Sequence, residues 1–258
     1  MRKNFTSENK QYLPYLFWSL IFLPIALDCA GQNDLDPAKE ILVHSRSEME
    51  KRFVEEHGGM TRLLHGRRFQ AQYPFVKGSP FWFEGVWLPG TLQSEKYIYH
   101  QLPLQYDAYK DALVYFPDSF SLDMVLINPM QVVAFDLGGS TFVYLGNGPE
   151  KTRMEKSGLS SGYFELLYTG KTLLLAKRKK ILRVDTNNTE SYGNFASRTT
   201  WYIVKDDRFY EVEKKGEIVK LFPGHKKVLN SFWRENQVNK WKTNPLLLAK
   251  FLIYCDQL

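Results

Sequence analysis

The chain has 258 residues, of which 44% are hydrophobic and 24% are charged. This balance is typical of a folded globular protein and excludes a disordered tail. The length fits one large domain or two small ones with a sizeable core. The formal net charge of +6 is mild, whereas dedicated nucleic-acid binders usually carry a stronger and more segregated basic face. We therefore expect no nucleic-acid partner.

Residues 1–31 have the pattern of a secretory signal peptide. Basic residues precede a hydrophobic stretch over 12–27, and small residues follow at 29–31. The stretch is shorter than the ~20 apolar residues that a membrane-spanning helix needs. We predict cleavage after Gly31 and export to the periplasm or the outer membrane. Two alternatives stay open: a lipid anchor on Cys29 at the new N-terminus, and an uncleaved membrane anchor.

An N-terminal helical segment is predicted over residues 32–66. Asp36 and Pro37 supply an N-cap and a first-turn proline, and Gly58-Gly59 end the helical pattern. A β-rich domain is predicted over 67–215, where short apolar or alternating runs are separated by Gly, Pro, Asn and Asp.

Two hairpins are legible inside this β-rich domain. The first turns at residues 169–171 and the second at Asp206-Asp207. Residues 185–194 are polar and are predicted to form a loop between the two hairpins.

The C-terminal segment, residues 216–258, is predicted to be helical. Its last helix should begin at Asn244-Pro245 and place Leu247, Phe251 and Cys255 on one face. Apolar helix faces need a partner, and the sheet is the obvious one. The fold class predicted is therefore α+β: a mainly antiparallel β-sheet, either a sandwich or an open barrel, with an N-terminal helix and C-terminal helices packed on it.

The chain has two cysteines, Cys29 and Cys255. If Cys29 leaves with the signal peptide, no intramolecular disulfide can form. Cys255 is then expected to fill the core, and the fold is expected to depend on core burial rather than on cross-links.

Two short motifs suggest enzymes, but their context is wrong. Residues 158–162 match G-x-S-x-G, in which Ser160 would be the nucleophile between a buried strand and a helix. Here a charged stretch, interpreted as a loop, precedes the motif and a strand follows it. Residues 170–172 end like a phosphate-binding loop, but Glu165 occupies the position of its first glycine. The second motif is interpreted as a hairpin turn.

No metal or cofactor is predicted. The histidines at positions 44, 57, 65, 100 and 225 lack metal-ligand spacing. Residues 185–190 alternate oxygen-bearing side chains, but they lack the turn glycine of a calcium loop.

Two groups of residues are candidates for binding. The first is an aromatic group whose rings are too numerous for one buried face, although core filling is the default interpretation. The second is a basic cluster that could contact anionic lipid or polysaccharide, although its default interpretation is a solvated strand end that prevents edge-to-edge pairing. The aromatic group is Phe81, Trp82, Phe83 and Trp87, and the basic cluster is Lys177, Arg178, Lys179 and Lys180.

Four stretches of the chain resemble uncharacterised exported envelope proteins of Bacteroidota-type bacteria. They are residues 78–92, 104–115, 202–210 and 221–227. These motifs are structural and carry no catalytic signature, so the resemblance implies an envelope location and no site.

The sequence thus predicts a non-enzymatic envelope protein that binds a protein partner through aromatic strands and exposed edges. One alternative is a carrier of lipid or another apolar ligand, with a pocket between a curved sheet and the last helix. A second alternative is a serine hydrolase that uses Ser160.

Overall fold

The computed structural model describes residues 67–70, 73, 75–117, 124–184 and 193–258. The predicted signal peptide, the predicted N-terminal helical segment and residues 185–192 of the predicted polar loop lie outside these ranges. Gly193 and Asn194, which were predicted to belong to that loop, instead begin a strand.

The described residues form one open sheet, and nearly all of its strand pairs are antiparallel. The strands are β1 (Arg67–Phe69), β2 (Val76–Lys77), β3 (Leu88–Gln93), β4 (Ile98–Asp107), β5 (Ala112–Tyr115), β6 (Met124–Leu126), β7 (Ala134–Leu137), β8 (Ser140–Leu145), β9 (Gly162–Thr169), β10 (Leu173–Val184), β11 (Gly193–Lys205) and β12 (Arg208–Glu211). Their order across the sheet is β1-β6-β5-β4-β3-β7-β8-β9-β10-β11-β12, and β2 pairs with β11 in parallel. The predicted antiparallel β-sheet is confirmed.

Both predicted hairpins are present. Strands β9 and β10 pair across the 169–171 turn, with Leu173 opposite Thr169. Strands β11 and β12 pair across Asp206-Asp207, whose φ angles of 49° and 61° lie in the left-handed region. Two such residues in succession define the turn type whose twist matches that of a hairpin, and aspartate tolerates this conformation better than most residues.

Four helices accompany the sheet in the described ranges: α1 (Gly148–Lys156), α2 (Lys215–Lys220), α3 (Lys226–Glu235) and α4 (Pro245–Asp256). Single 3-10 turns occur at Pro129–Gln131 and Val238–Lys240. None of these helices is long and apolar enough to cross a membrane. The predicted C-terminal helices are confirmed, and α4 begins where Asn244-Pro245 predicted.

Helix α1 corrects the interpretation of the stretch before Ser160 as a charged loop. A proline stands in its first turn, where the missing N–H costs nothing, and charged residues of good helix propensity follow. Met154, at 1% exposure, is the only large aliphatic side chain in its sequence. A single buried residue gives no helical periodicity, so the sequence pattern did not predict this helix.

The sheet is strongly curved. The backbone N–H of Lys180 in β10 donates to the carbonyl of Ala108, just after β4, at 3.0 Å, although β3, β7, β8 and β9 lie between these strands in the sheet. The space inside the curve is filled by aromatic rings, and Phe135 and Phe142 stack there with ring centroids 4.9 Å apart. Tyr106 of β4 lies 5.9 Å from Tyr163 of β9 in the same cluster.

The C-terminal helices cover one part of the sheet. Leu174 and Ala176 of β10 and Trp201 of β11 pack against Phe251 and Leu252 of α4. Burial of large apolar side chains is the main favourable term in such packing. The described residues thus bury one apolar cluster under the C-terminal helices, one inside the curve of the sheet, and a smaller one around Met154 and Phe164.

Candidate functional site

The structure brings the two predicted binding groups together at Ala108. The N–H of Ala108 donates to the carbonyl of Pro80 at 3.0 Å, and its carbonyl accepts the N–H of Lys180 at 3.0 Å. The N–H of Trp82 donates to the carbonyl of Tyr106 at 2.9 Å. The aromatic segment and the basic strand thus flank the same residue, although about one hundred positions separate them in the sequence.

Arg178 lies between two tryptophans. Its guanidinium carbon is 5.0 Å from the ring of Trp82 and 5.2 Å from the ring of Trp201, which are distances of cation–π contact. Its Nε donates to the Glu165 carboxylate at 2.5 Å, and a terminal nitrogen donates to the hydroxyl of Thr199 at 2.9 Å. The arginine is therefore held in place from four sides.

Lys180 is also buried, and its ammonium pairs with the exposed carboxylate of Glu84 at 2.5 Å. Lys177 is only 5% exposed, whereas Lys179 points to solvent. The interpretation of these residues as a solvated strand end is therefore wrong. Residues 177–180 pair with β11 on one side, and the N–H of Lys180 donates to the carbonyl of Ala108, so this part of β10 is not a free edge. Its buried charges have carboxylate partners.

Residues Glu84, Gly85 and Val86 form an exposed loop, here called the 84–86 loop. Both of its ends are fixed by aromatic rings: Phe83 lies directly over Gly138, and Trp87 stacks on Phe116 with centroids 5.1 Å apart. Val86 is 53% exposed, so its apolar side chain faces solvent. The loop therefore presents an apolar tip from a fixed base.

Two more rings of the predicted aromatic group do not reach the loop tip. Phe81 forms a single bridge with Asp107, and its ring lies 6.1 Å from that of Phe69. The ring of Trp82 makes a cation–π contact with Arg178. Both rings are half-buried, so they support the loop rather than face solvent.

A second polar cluster, here called the Lys177–Asp111 cluster, lies where β10 passes the turn between β4 and β5. The Nζ of Lys177 lies 2.6 Å from Oδ2 of Asp111 and donates to the carbonyl of Tyr163 at 2.9 Å. The hydroxyl of Tyr106 donates to Oδ1 of Asp111 at 2.7 Å, and the N–H of Tyr163 lies 3.4 Å from the same oxygen. A Cβ at Gly162 would collide with Oδ2 of Asp111 and Nζ of Lys177, so a side chain there would displace the pair.

Burial dominates the electrostatics of this cluster. Desolvation lowers the pKa of Lys177, although the charge of Asp111 opposes that shift. Desolvation, reinforced by the charge of Asp111 and its hydrogen bond, raises the pKa of Tyr106 well above its usual value. Desolvation and the same charge raise the pKa of Tyr163. Both phenols therefore stay protonated, and Tyr106 remains a donor to Asp111.

Sequence reasoning included Lys177 among the binding candidates but missed its partners. Asp111 lies 66 positions away, in a turn, and no local pattern links the two residues. Glu165 was noted only as the residue that spoils a phosphate-loop motif, whereas it is the partner of Arg178. The one available signal was a run of basic residues inside a strand too apolar at its start to be an edge.

The serine motif does not have the geometry of a nucleophile elbow. Ser160 is exposed in a loop that follows α1 and precedes β9. The elbow requires the opposite order, with a strand before the serine and a helix after it. The interpretation of residues 170–172 as a hairpin turn is confirmed, and Thr172 there donates its N–H and its hydroxyl to Asp256.

The described ranges contain no group of three or more His, Cys, Asp or Glu side chains placed to bind a metal ion. Two surface grooves, of about 180 and 460 Å³, are lined by both polar and apolar residues. The first is lined by Ser94, Glu95, Lys96, Tyr97, Tyr99, Met130 and Gln131, and the second by Arg67, Arg68, Phe69, Gln70, Lys110, Ala112 and Leu126. Neither is a cavity lined by Phe, Leu and Trp, which would favour the carrier hypothesis.

The described residues form a mainly antiparallel, strongly curved β-sheet with buried, paired lysines on strand β10. Comparison of the chain with protein-family models, with curated proteins and with solved structures found no match.

Proposed function

We propose that the chain is an exported, non-enzymatic interaction protein of a bacterial envelope, located in the periplasm or at the outer membrane. In this proposal the 84–86 loop binds a protein partner. The observation that carries it is the exposed Val86 at the tip of a loop whose two ends are fixed by rings.

A fixed loop is a good binding element because little conformational entropy is lost when a partner contacts it. Two contacts hold the loop against the sheet: the Glu84 carboxylate on Lys180, and Phe83 on Gly138. An exposed apolar side chain beside an exposed carboxylate, that of Glu84, offers the apolar and polar groups that a small interface combines.

A protein partner is favoured over an anionic surface by the position of the basic cluster. Lys177 and Lys180 are buried and paired with carboxylates, and Arg178 is paired with Glu165. Lys179 is the one exposed member. Binding to anionic lipid or polysaccharide depends on several solvated charges acting together, and one lysine adds little.

Partner binding is tested by Val86→Asp. A charge at the centre of an interface leaves a buried, unpaired carboxylate, so we expect recovery of partners by affinity capture from the envelope fraction to fall about tenfold or more. The matched control is Val228→Asp, because Val228 is 47% exposed on α3, far from the loop in the chain. Equal recovery with Val86→Asp and the wild type would contradict the proposed role of the loop.

Export is tested separately by the N-terminal sequence of the chain recovered from a bacterium with an outer membrane. We expect the chain in the periplasmic or outer-membrane fraction, beginning at Gln32. A lipid on Cys29 would make it begin there instead. Recovery of the unprocessed chain from the cytosol would contradict the proposed location.

A further inference from the structure

We propose that Lys177 and Asp111 form a covalent isopeptide cross-link between the β4–β5 turn and strand β10. The inference is independent of the proposed function. It rests on the short contact between Nζ of Lys177 and Oδ2 of Asp111, at 2.6 Å, inside an aromatic environment.

The lysine is positioned as a nucleophile. Its Nζ is held by two contacts, one to Asp111 and one to the carbonyl of Tyr163, so its approach to the carboxyl group is fixed. The ring of Phe164 lies 4.7 Å from the same nitrogen and excludes water from one side. A desolvated lysine releases its proton more readily, and the neutral amine is the reactive form.

The carboxyl group is positioned as the electrophile. Oδ1 of Asp111 accepts the hydroxyl of Tyr106 at 2.7 Å and faces the N–H of Tyr163 at 3.4 Å. Two donors on one oxygen stabilise the negative charge that this oxygen gains when an amine adds to the carboxyl carbon. Oδ2 has no role in that stabilisation and contacts the lysine, so it is the oxygen that leaves.

The step is balanced without any co-reactant. The ammonium of Lys177 transfers one proton to the Asp111 carboxylate, which gives an amine and a carboxylic acid. The nitrogen lone pair forms the Nζ–Cγ bond, the Cγ–Oδ2 bond breaks, and Oδ2 leaves as water with a second proton from the nitrogen. No atom is oxidised or reduced. Proximity and orientation of this kind replace a bimolecular encounter and accelerate the reaction strongly.

Gly162 supports the same assignment. A Cβ there would collide with Oδ2 of Asp111 and with Nζ of Lys177, so the pair lies directly on the backbone of β9. The bond would close a loop of 66 residues, which restricts the unfolded chain as a disulfide does.

Intact mass spectrometry of the purified full-length chain tests the proposal. The wild type should weigh one water molecule less than its sequence, after allowance for its measured N-terminus. Fragmentation of a protease digest should yield a branched peptide that joins Asp111 to Lys177. This result on the wild type decides the question even if every variant fails to fold.

The variants sharpen the assignment. Lys177→Arg should have its full mass, and Asp111→Asn should lose ammonia instead of water. Lys180→Arg is the matched control, because Lys180 forms a similar short ion pair, with an exposed carboxylate, and should leave the water loss unchanged. A wild type of full mass with unlinked peptides would overturn the proposal, as would a water loss that persists in Lys177→Arg.

Discussion

The two halves of strand β10 cover the same face of the sheet with different chemistry, apolar packing in one half and paired charges in the other. In the first half, Leu174 and Ala176 pack against apolar side chains of the C-terminal helices. In the second half, Arg178 and Lys180 occupy the corresponding alternate positions. The ring of Trp82 covers Arg178, and the carboxylate of Glu84 pairs with Lys180.

The difference shows that a charged run inside a strand need not mark a surface. A buried charge is tolerated when it is paired and hydrogen-bonded, and is costly when its partner is removed. The apolar half should therefore respond to lost volume, and the charged half to a lost partner.

The largest effect is expected in the apolar half, from Phe251→Ala. The Phe251 ring is fully buried and meets the ring of Trp233 edge-on at 4.9 Å, so its removal leaves a cavity between α4 and α3. We expect a loss of about 4 kcal/mol in the free energy of unfolding, measured in urea. Ile253→Ala is the control on the same helix, because Ile253 is 42% exposed, and it should lose less than about 1 kcal/mol. Similar losses for both variants would contradict this packing.

Arg178→Met should give the next largest effect, in the charged half. The change keeps much of the side-chain volume but leaves the buried carboxylate of Glu165 without its arginine, at a cost of about 3 kcal/mol. Adding Glu165→Gln should recover part of that loss, because the carboxylate that lost its arginine is then replaced by a neutral amide. The comparison is Arg153→Met, whose partner Asp207 is exposed, and which should lose less than about 1 kcal/mol. Equal losses for the two arginines would show that burial does not distinguish the pairs.

Much of the fold could be predicted from local pattern alone. The two hairpins and helix α4 follow from turn residues and from a proline at a helix start, which act over a few positions. Helix α1 was missed because Met154 is the only large aliphatic side chain in its sequence, which therefore lacks an apolar stripe. Local sequence signals thus identified the hairpins and the helix that are determined by a few neighbouring residues.

The candidate site could be predicted only in part. The sequence indicated both the aromatic group and the basic cluster, but nothing in it joins Trp82 to Arg178 or Asp111 to Lys177. Those contacts come from the curvature of the sheet, which brings β4 to β10. Curvature depends on packing among many strands, so no short stretch of sequence encodes it.

The smallest effect on stability is expected from Asp107→Asn, at the end of β4 beside the β4–β5 turn. Oδ1 of Asp107 accepts the N–H groups of Tyr109 and Lys110 at 2.9 and 2.8 Å, while the buried Oδ2 has no hydrogen-bond partner among the described residues. Burial raises the pKa of Asp107, although the two backbone hydrogen bonds oppose that shift. Asparagine keeps the acceptor of the turn and removes the desolvated charge, so the variant should be slightly more stable than the wild type at neutral pH.

The stability difference between the wild type and Asp107→Asn should change with pH, in a direction set by the raised pKa of Asp107. Because the pKa of Asp107 is higher in the folded state than in the unfolded state, the folded wild type binds a proton before the unfolded chain does. The wild type therefore gains stability relative to Asp107→Asn as the pH falls from neutral towards the unfolded pKa, and the advantage of the variant shrinks. Urea unfolding of both proteins across this range measures it. A variant that is less stable by the same amount at every pH would show that the Asp107 charge is compensated within the turn.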